Sequence, residues 1–258
     1  MKIVVLIKEV PDTYNKRVLE LETGLADRAA SDAILDESSE RALEVALSHA
    51  DVTDDVEILA LCLGPESAAT SARKAFAMGA HRVAHVVDDA LRGADIGLTA
   101  EVLAAAIRQD GFDLVITGST ATDGTSGMVP AAVAELLDAA LLSGLSAVEI
   151  TNDGVAGTRI SDSRVQQLRA AFPAVISITE ALPEARFPNF KGIMAAKKKR
   201  LEQFDLGELG IEAERADTAR SIMLSVAEKP PKQAGIMVTD EGDAGEQLAT
   251  FLIDHHLA

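Results

Sequence analysis

The feature that most constrains this chain is an alternation. Short apolar runs are separated by segments of helical periodicity, from residue 2 to about residue 138. KIVVLIK (2–8), VEILALCL (56–63), RVAHVV (82–87) and DLVITG (113–118) are near-continuous apolar runs of strand length. Between them DESSERALEVALSHA (36–50) reads as a helix, with Asp36, Ser38 and Ser39 as candidate N-caps. PESAATSARKAFAMG (65–79) starts at proline and ends at glycine, as helices do. Further helices are expected around 96–109 and 128–138. Strands separated by helices imply parallel β-α-β units with right-handed crossovers. Strands that are apolar on both faces imply a sheet covered on both sides.

Residues 145–181 are richer in strand signals. LSAVEI, GVAGTRI and PAVISIT are separated by Asn-Asp-Gly and Ser-Asp-Ser turns, which predicts a hairpin joined to a last central strand. The character changes after about 182, where prolines, glycines and a basic cluster replace strand signals. The expected organisation is an α/β domain over 1–182 and an arm with short helices over 183–258. Such an arm has little core of its own and needs a surface to lie on.

Composition narrows the function. The formal net charge of −17 argues against general nucleic-acid binding, which needs a positive surface. Cys62 is the only cysteine, so no internal disulfide forms, which suits a reducing compartment; its place in EILALCLG suggests a core thiol. No apolar run reaches the ~18 residues of a membrane span. MKIVVLIKEVPDT lacks the marks of a secretory or transit peptide, so a bacterial cytoplasm is the expected address.

Three strand-to-helix connections fall on the carboxyl edge of the expected sheet, where open α/β sheets bind ligands. TGSTATDGTSG (117–127) is the most chemical-looking of them. Its small residues permit close backbone approach, its hydroxyls are donors, and the next helix offers free N–H groups to a phosphate. It has neither a Walker ending nor a dinucleotide glycine pattern. The alternative is an ordinary polar connection. IKEVPDTYN, with Lys8, Asp12, Thr13 and Tyr14, and LGPES (63–67) share that rim. His49, His81, His85, His255 and His256 form no metal motif, and no nucleophile–base pair is evident. His49 ends a helix pattern, while His81 and His85 are expected to flank or line a strand.

FPNFKGIMAAKKKR (187–200) sets an apolar, loop-like run, Phe187 to Met194, before four adjacent cations. It reads as a solvated basic patch, weakly as a nucleic-acid site, or as an apolar anchor with a charged rim that meets an acidic partner.

In order along most of the chain, these segments resemble the beta subunit of electron transfer flavoproteins. MKIVVLIKEVPDT is similar to the family's opening. LGPESAATSARKAFAMGAHRVAHVVDD resembles its Gly-Pro turn, Arg-x-Ala-x-Ala-Met-Gly-Ala helix and following strand. DLVITGSTATDGTSGMVPAAVAELL resembles its nucleotide loop in a shorter bacterial form, and ARFPNFKGIMAAKKK is the most specific piece. The resemblance implies a three-layer parallel sheet of adenine-nucleotide-binding type, with a β-hairpin addition and an extended C-terminal arm packed on an alpha subunit. It implies an electron carrier and not an enzyme. The heterodimer holds one FAD, mostly on alpha, and this chain binds AMP structurally. Electrons arrive from flavin dehydrogenases, such as the acyl-CoA dehydrogenases of fatty acid oxidation, and leave to a quinone-linked oxidoreductase. There is no membrane insertion.

The resemblance carries AMP contacts to Leu6, to Asp36, Ser38 and Ser39, to Leu63, and to the loop from Gly118 to Ser126. In that loop Thr122, Asp123, Gly124, Thr125 and Ser126 would hold phosphate and ribose. Thr13 and Arg159 match positions near the flavin, where a cation favours the anionic reduced form. The partner-recognition loop maps to Phe187, Phe190, Ile193, Met194, Lys197, Lys198 and Lys199, with Phe190 as the anchor. Two stretches depart from the family. Asp36-Glu-Ser-Ser stands where many members have Asn-Pro-Phe-x. SDSRVQQLRAAFPAV replaces an Asp-Gly-Gly-x-Glu stretch and brings Arg164 and Arg169. Two other readings stand beside the carrier: a stand-alone adenine-nucleotide-binding regulator, and a bifurcating subunit with a second FAD in place of AMP. An ATP-hydrolysing or adenylating enzyme lacks a catalytic signature.

Overall fold

The computed structural model describes residues 1–258 except 216, 217, 219, 233, 236 and 258. The chain forms two units, Met1–Ser225 and Val226–Ala258. Residues 183–225 therefore count with the first.

The apolar runs become strands and the periodic segments become helices. Strand β1 is Lys2–Ile7. A small antiparallel pair follows, β2 (Glu9–Pro11) and β3 (Ala33–Leu35), and then helix α1 (Glu37–Ala50). Next come β4 (Glu57–Leu63), α2 (Ala69–Met78) after a single 3-10 turn, and β5 (Arg82–Val86). Helix α3 (Ile96–Asp110), β6 (Leu114–Gly118) and α4 (Val129–Leu137) complete the alternation. The expected hairpin is larger than its sequence signals. It comprises β7 (Ala140–Ile150), β8 (Gly154–Ser161) and β9 (Arg164–Ala171), all antiparallel, before the central β10 (Ala174–Ile178). The apolar run expected to be loop-like is helical over α5 (Phe190–Ala196), capped by the Asn189 side chain. Strand β11 is Glu202–Phe204.

The main sheet runs β11-β5-β4-β1-β6-β10-β7-β8-β9, parallel except for the last two pairings. Side chains alternate across it. Ile3, Val5 and Ile7 pack under α1 and α2, while Val4 and Leu6 pack under α3 and α4. The expected three-layer architecture is the one found. Full burial of each Val, Leu or Ile adds about 1.5–3 kcal/mol, which explains why these strands lack polar alternation. Cys62 belongs to this core; burial, then the charge of Glu9, pushes its thiol up to about 12, so it is no nucleophile. The edge strand β11 is locked by Arg82, which pairs with Glu202, Asp110 and Glu57.

The second unit is mostly irregular and ends in α6 (Ala244–Asp254), whose Leu248, Phe251 and Ile253 are exposed. Among the described residues no helix is long and apolar enough to cross a membrane.

Candidate functional site

Chain order runs from β1 outward through β4 and β5, and then returns to β6 on the other side of β1. The two loops leaving β1 and β6 therefore diverge and open a crevice at their carboxyl ends, the position where such sheets take ligands. A cleft of about 860 Å³ lies there. Its floor includes Leu6, Leu63 and Val129, and its rim includes Lys8, Gly64, Ser38, Ser39 and the loop residues 117–121 and 124–127. That volume lies within the range of small-molecule sites.

The loop after β6 leaves several of its backbone donors without an acceptor among the described residues. Thr125 has φ +50° and Gly127 φ +65°. A threonine in the left-handed region is uncommon and costs strain, and such strain gathers at ligand sites. Among the described residues nothing accepts from the N–H groups of Ser126, Gly127 or Met128, and the Met128 N-cap position offers no side-chain cap to α4. Free donors at a helix N-terminus, beside left-handed residues, form a cradle for an anion. The loop can sit this low because Gly118 has no side chain. A Cβ there would lie 2.3 Å from Ser38 Oγ.

Asp36 holds this arrangement from beneath. It is fully buried. One carboxylate oxygen accepts from Ser38 N at 3.0 Å and Ser38 Oγ at 2.8 Å; the other accepts from Thr122 N at 2.8 Å and Thr122 Oγ1 at 3.1 Å. The same carboxylate thus caps α1 and fastens the loop. A second tie crosses the rim, where Lys8 Nζ meets Asp123 Oδ1 at 2.7 Å. Burial alone would raise the Asp123 carboxyl. The hydrogen bond and charge of Lys8 and the Gly124 N–H outweigh burial and hold it below the ordinary value.

The predicted residues divide accordingly. Leu6, Ser38, Ser39, Leu63, Gly118, Gly124, Thr125 and Ser126 line the cleft. Asp36, Thr122 and Asp123 stand behind the surface as the ties just described. Thr13 and Arg159 lie outside the cleft; the Arg159 guanidinium donates to Gln166 Oε1 at 3.0 Å and Ser143 Oγ at 3.2 Å on the β7–β8–β9 hairpin. The remaining wall was not legible in the sequence. It comes from residues 25–29, including Arg28, and from 87–96. His85 was expected only to line a strand. It is fully buried and its Nε2 lies 3.0 Å from Gly64 O, so it also braces the turn that forms the near rim.

The apolar segment is separate from the cleft residues. Phe187 is 93% exposed and Phe190 is 79% exposed, with Ile193 and Met194 also open to solvent. Lys197 and Lys198 are exposed beside them, but Lys199 does not join that rim. Its ammonium donates to Ala80 O at 2.9 Å and sits 5.0 Å from the centre of the Phe76 ring.

Against known proteins, residues 23–209 match the electron transfer flavoprotein domain. The chain is 44% identical to the electron transfer flavoprotein subunit beta of Mycobacterium tuberculosis, over 97% of both chains. It is 42% identical to that of Mycobacterium leprae over the same shares. Identity to the Bacillus subtilis subunit beta is 31%, over 96% of this chain and 94% of the relative. With the domain matched over most of its length and such relatives spanning nearly all of it, this chain belongs to the electron transfer flavoprotein family as a beta subunit.

Proposed function

We propose that this subunit pairs with its alpha subunit, holds AMP in the cleft at the ends of β1 and β6, and docks flavin dehydrogenases through Phe187–Lys198. As a beta subunit it is an electron-transfer component and not an enzyme, and an alpha partner follows from that identity. The observation that carries the nucleotide reading is the loop over 117–127. The N–H groups of Ser126, Gly127 and Met128, unpaired among the described residues, lie just before α4, where a phosphate would gain both hydrogen bonds and the helix dipole. The donor set suits a phosphate, and the Leu6 and Leu63 floor suits a base. Thr125 adds a hydroxyl on the rim, while the Ser38 hydroxyl donates to Asp36 and that of Ser39 accepts from the Lys8 N–H. The nucleotide's part in this reading is structural, satisfying donors that the loop before α4 leaves unpaired among the described residues.

FAD, when bound by the heterodimer, supplies the redox chemistry. Thr13, Tyr14 and the β7–β8–β9 hairpin that carries Arg159 are this chain's candidates to enclose it. The exposed apolar residues of the second unit fit an arm that lies on alpha. In cells, the proposal places the complex in the cytoplasm, between acyl-CoA or related dehydrogenases and a quinone-linked acceptor.

The test is to co-express the chain with its alpha subunit, denature the purified complex and quantify the nucleotides released. One FAD and one AMP per heterodimer is the expected result. Two FAD and no AMP would replace the AMP reading with the bifurcating one. A lone chain that keeps its nucleotide and forms no complex would favour the stand-alone regulator.

A further inference from the structure

From the geometry of 186–199 we infer that the docking segment is a rigid strap, with Arg186 and Lys199 as its positioning residues, so that Phe187 and Phe190 meet a dehydrogenase already in place. This rests on the docking reading above.

Exposed aromatic side chains on a free loop would need no anchors, yet this segment is fastened at both ends. At the first end the Arg186 guanidinium grips α1. Its Nε donates to Glu44 Oε2 and its Nη2 to Glu44 Oε1, both at 2.8 Å, and Nη2 also reaches Asp51 Oδ2 at 2.7 Å. The Arg186 backbone N–H adds a bond to Glu44 Oε2 at 3.0 Å. A planar fork on two carboxylates fixes direction as well as distance. At the second end Lys199 is tied to Ala80 O and the Phe76 face, and its own carbonyl accepts from Arg73 Nη1 at 3.1 Å. Between these staples α5 lies directly on α2. A Cβ on Gly192 would fall 2.5 Å from Ala77 O, so only glycine permits the approach, and Ala196 is buried below.

The result is an apolar crest on a rigid base. Lys191, Lys197, Lys198 and Arg200 surround it, and none has an ion-pair partner among the described residues. The occupant is therefore a surface with an apolar pocket and an acidic rim. The fold-and-dock alternative must order the segment at each encounter. A segment ordered beforehand avoids that cost and keeps association fast, which suits a carrier that meets its donors briefly.

The experiment uses the heterodimer and an acyl-CoA dehydrogenase reduced by its substrate. Arg186→Gln should raise the half-saturating carrier concentration about fivefold to tenfold, with little change in the limiting rate, because the lost order is restored on docking. Arg186→Lys should fall between that variant and wild type. In the same samples, amide hydrogen exchange of 187–198 should speed up while that of 117–127 stays unchanged. Lys199→Met carries the same test from the other end if Arg186→Gln misfolds. Wild-type saturation and exchange in Arg186→Gln, with Phe190→Ala impaired, would overturn the inference and leave the docking reading intact. An unimpaired Phe190→Ala would overturn the docking reading, and the inference with it.

Discussion

The cleft loop over 117–127 and the strap over 186–199 meet their proposed partners by opposite means. The loop is concave and presents backbone N–H groups. Its side chains either bend the backbone or tie it down from behind. The strap is convex and presents side chains, while its backbone is held by Arg186, Asn189 and Lys199. A backbone site depends on shape and tolerates many side chains at its surface. A side-chain site depends on one or two anchors and tolerates change elsewhere. The residues that matter most should thus be hidden in the first region and exposed in the second.

The strongest way to break this contrast is Gly118→Val, which changes no contact group. Even its Cβ would collide with Ser38 Oγ and lie 2.6 Å from Ser38 Cβ, so the loop must lift from the end of α1. Overpacking of this kind costs about 1–3 kcal/mol of stability. Released AMP should fall to near zero in the purified heterodimer, with urea unfolding following the stability loss. Retention of wild-type AMP would mean that the low seat of the loop is not what forms the site.

A subtler change is Asp36→Asn. An amide presents one acceptor oxygen where the carboxylate has two, so its NH2 must face the donors of either Ser38 or Thr122. A buried mispairing costs about 1–3 kcal/mol, or roughly five- to 150-fold in nucleotide affinity if the loop absorbs it. Calorimetric titration of AMP into the nucleotide-depleted complex measures this. Unchanged affinity would make Asp36 a helix cap and nothing more. On the strap, Phe190→Ala should slow electron receipt about tenfold, as expected for one exposed anchor, with FAD and AMP contents unchanged.

Local signals made much of this legible. The parallel core announced itself because KIVVLIK and EILALCL are buried on both faces and so carry no polar alternation. The cleft loop was legible because a strand, a run of small residues and a helix follow one another directly. Strand β9 was not, since RVQQLRAA is an edge strand with no inward face of continuous apolar residues. Helix α5 was disguised by Pro188 and Gly192, the first preceding its cap and the second required by contact with α2. Arg186 gave no signal at all. Its partner Glu44 lies 142 residues away, and no spacing rule reaches that far. The four adjacent cations looked uniform, yet the turn after the short helix brings Lys199 inward while Lys197 and Lys198 stay exposed.

Acid offers the finest test, because the two regions carry different carboxylates. Burial alone would raise Glu44, but the hydrogen bonds and charge of Arg186 outweigh it, and the carboxyl lies below its ordinary 4.5. Arg186 likewise lowers Asp51, and Arg186 is itself raised. Because both folded values are depressed, the unfolded chain takes up protons first as pH falls. The contribution of the staple is complete above about 4.5 and is lost as pH drops through the lowered folded values. For a pair still partly open to water this is about 1 kcal/mol or less, so the strap should loosen without unfolding the domain. Following the Arg186 Nε–H and the 187–198 amide shifts by NMR between pH 6 and 3 should reveal a local transition with its midpoint below 4.5. The loop over 117–127 has its own low carboxyl, Asp123, tied to Lys8. Glu44→Gln separates the two: it should shrink the strap transition to the part that Asp51 carries and leave that of the loop. A strap transition that survives Glu44→Gln unchanged would assign the acid response to other groups. The Arg186 end of the strap would then not depend on Glu44, and the contrast between a shape-built cleft and a charge-stapled strap would rest on Asp51, Lys199 and the exposed anchor residues.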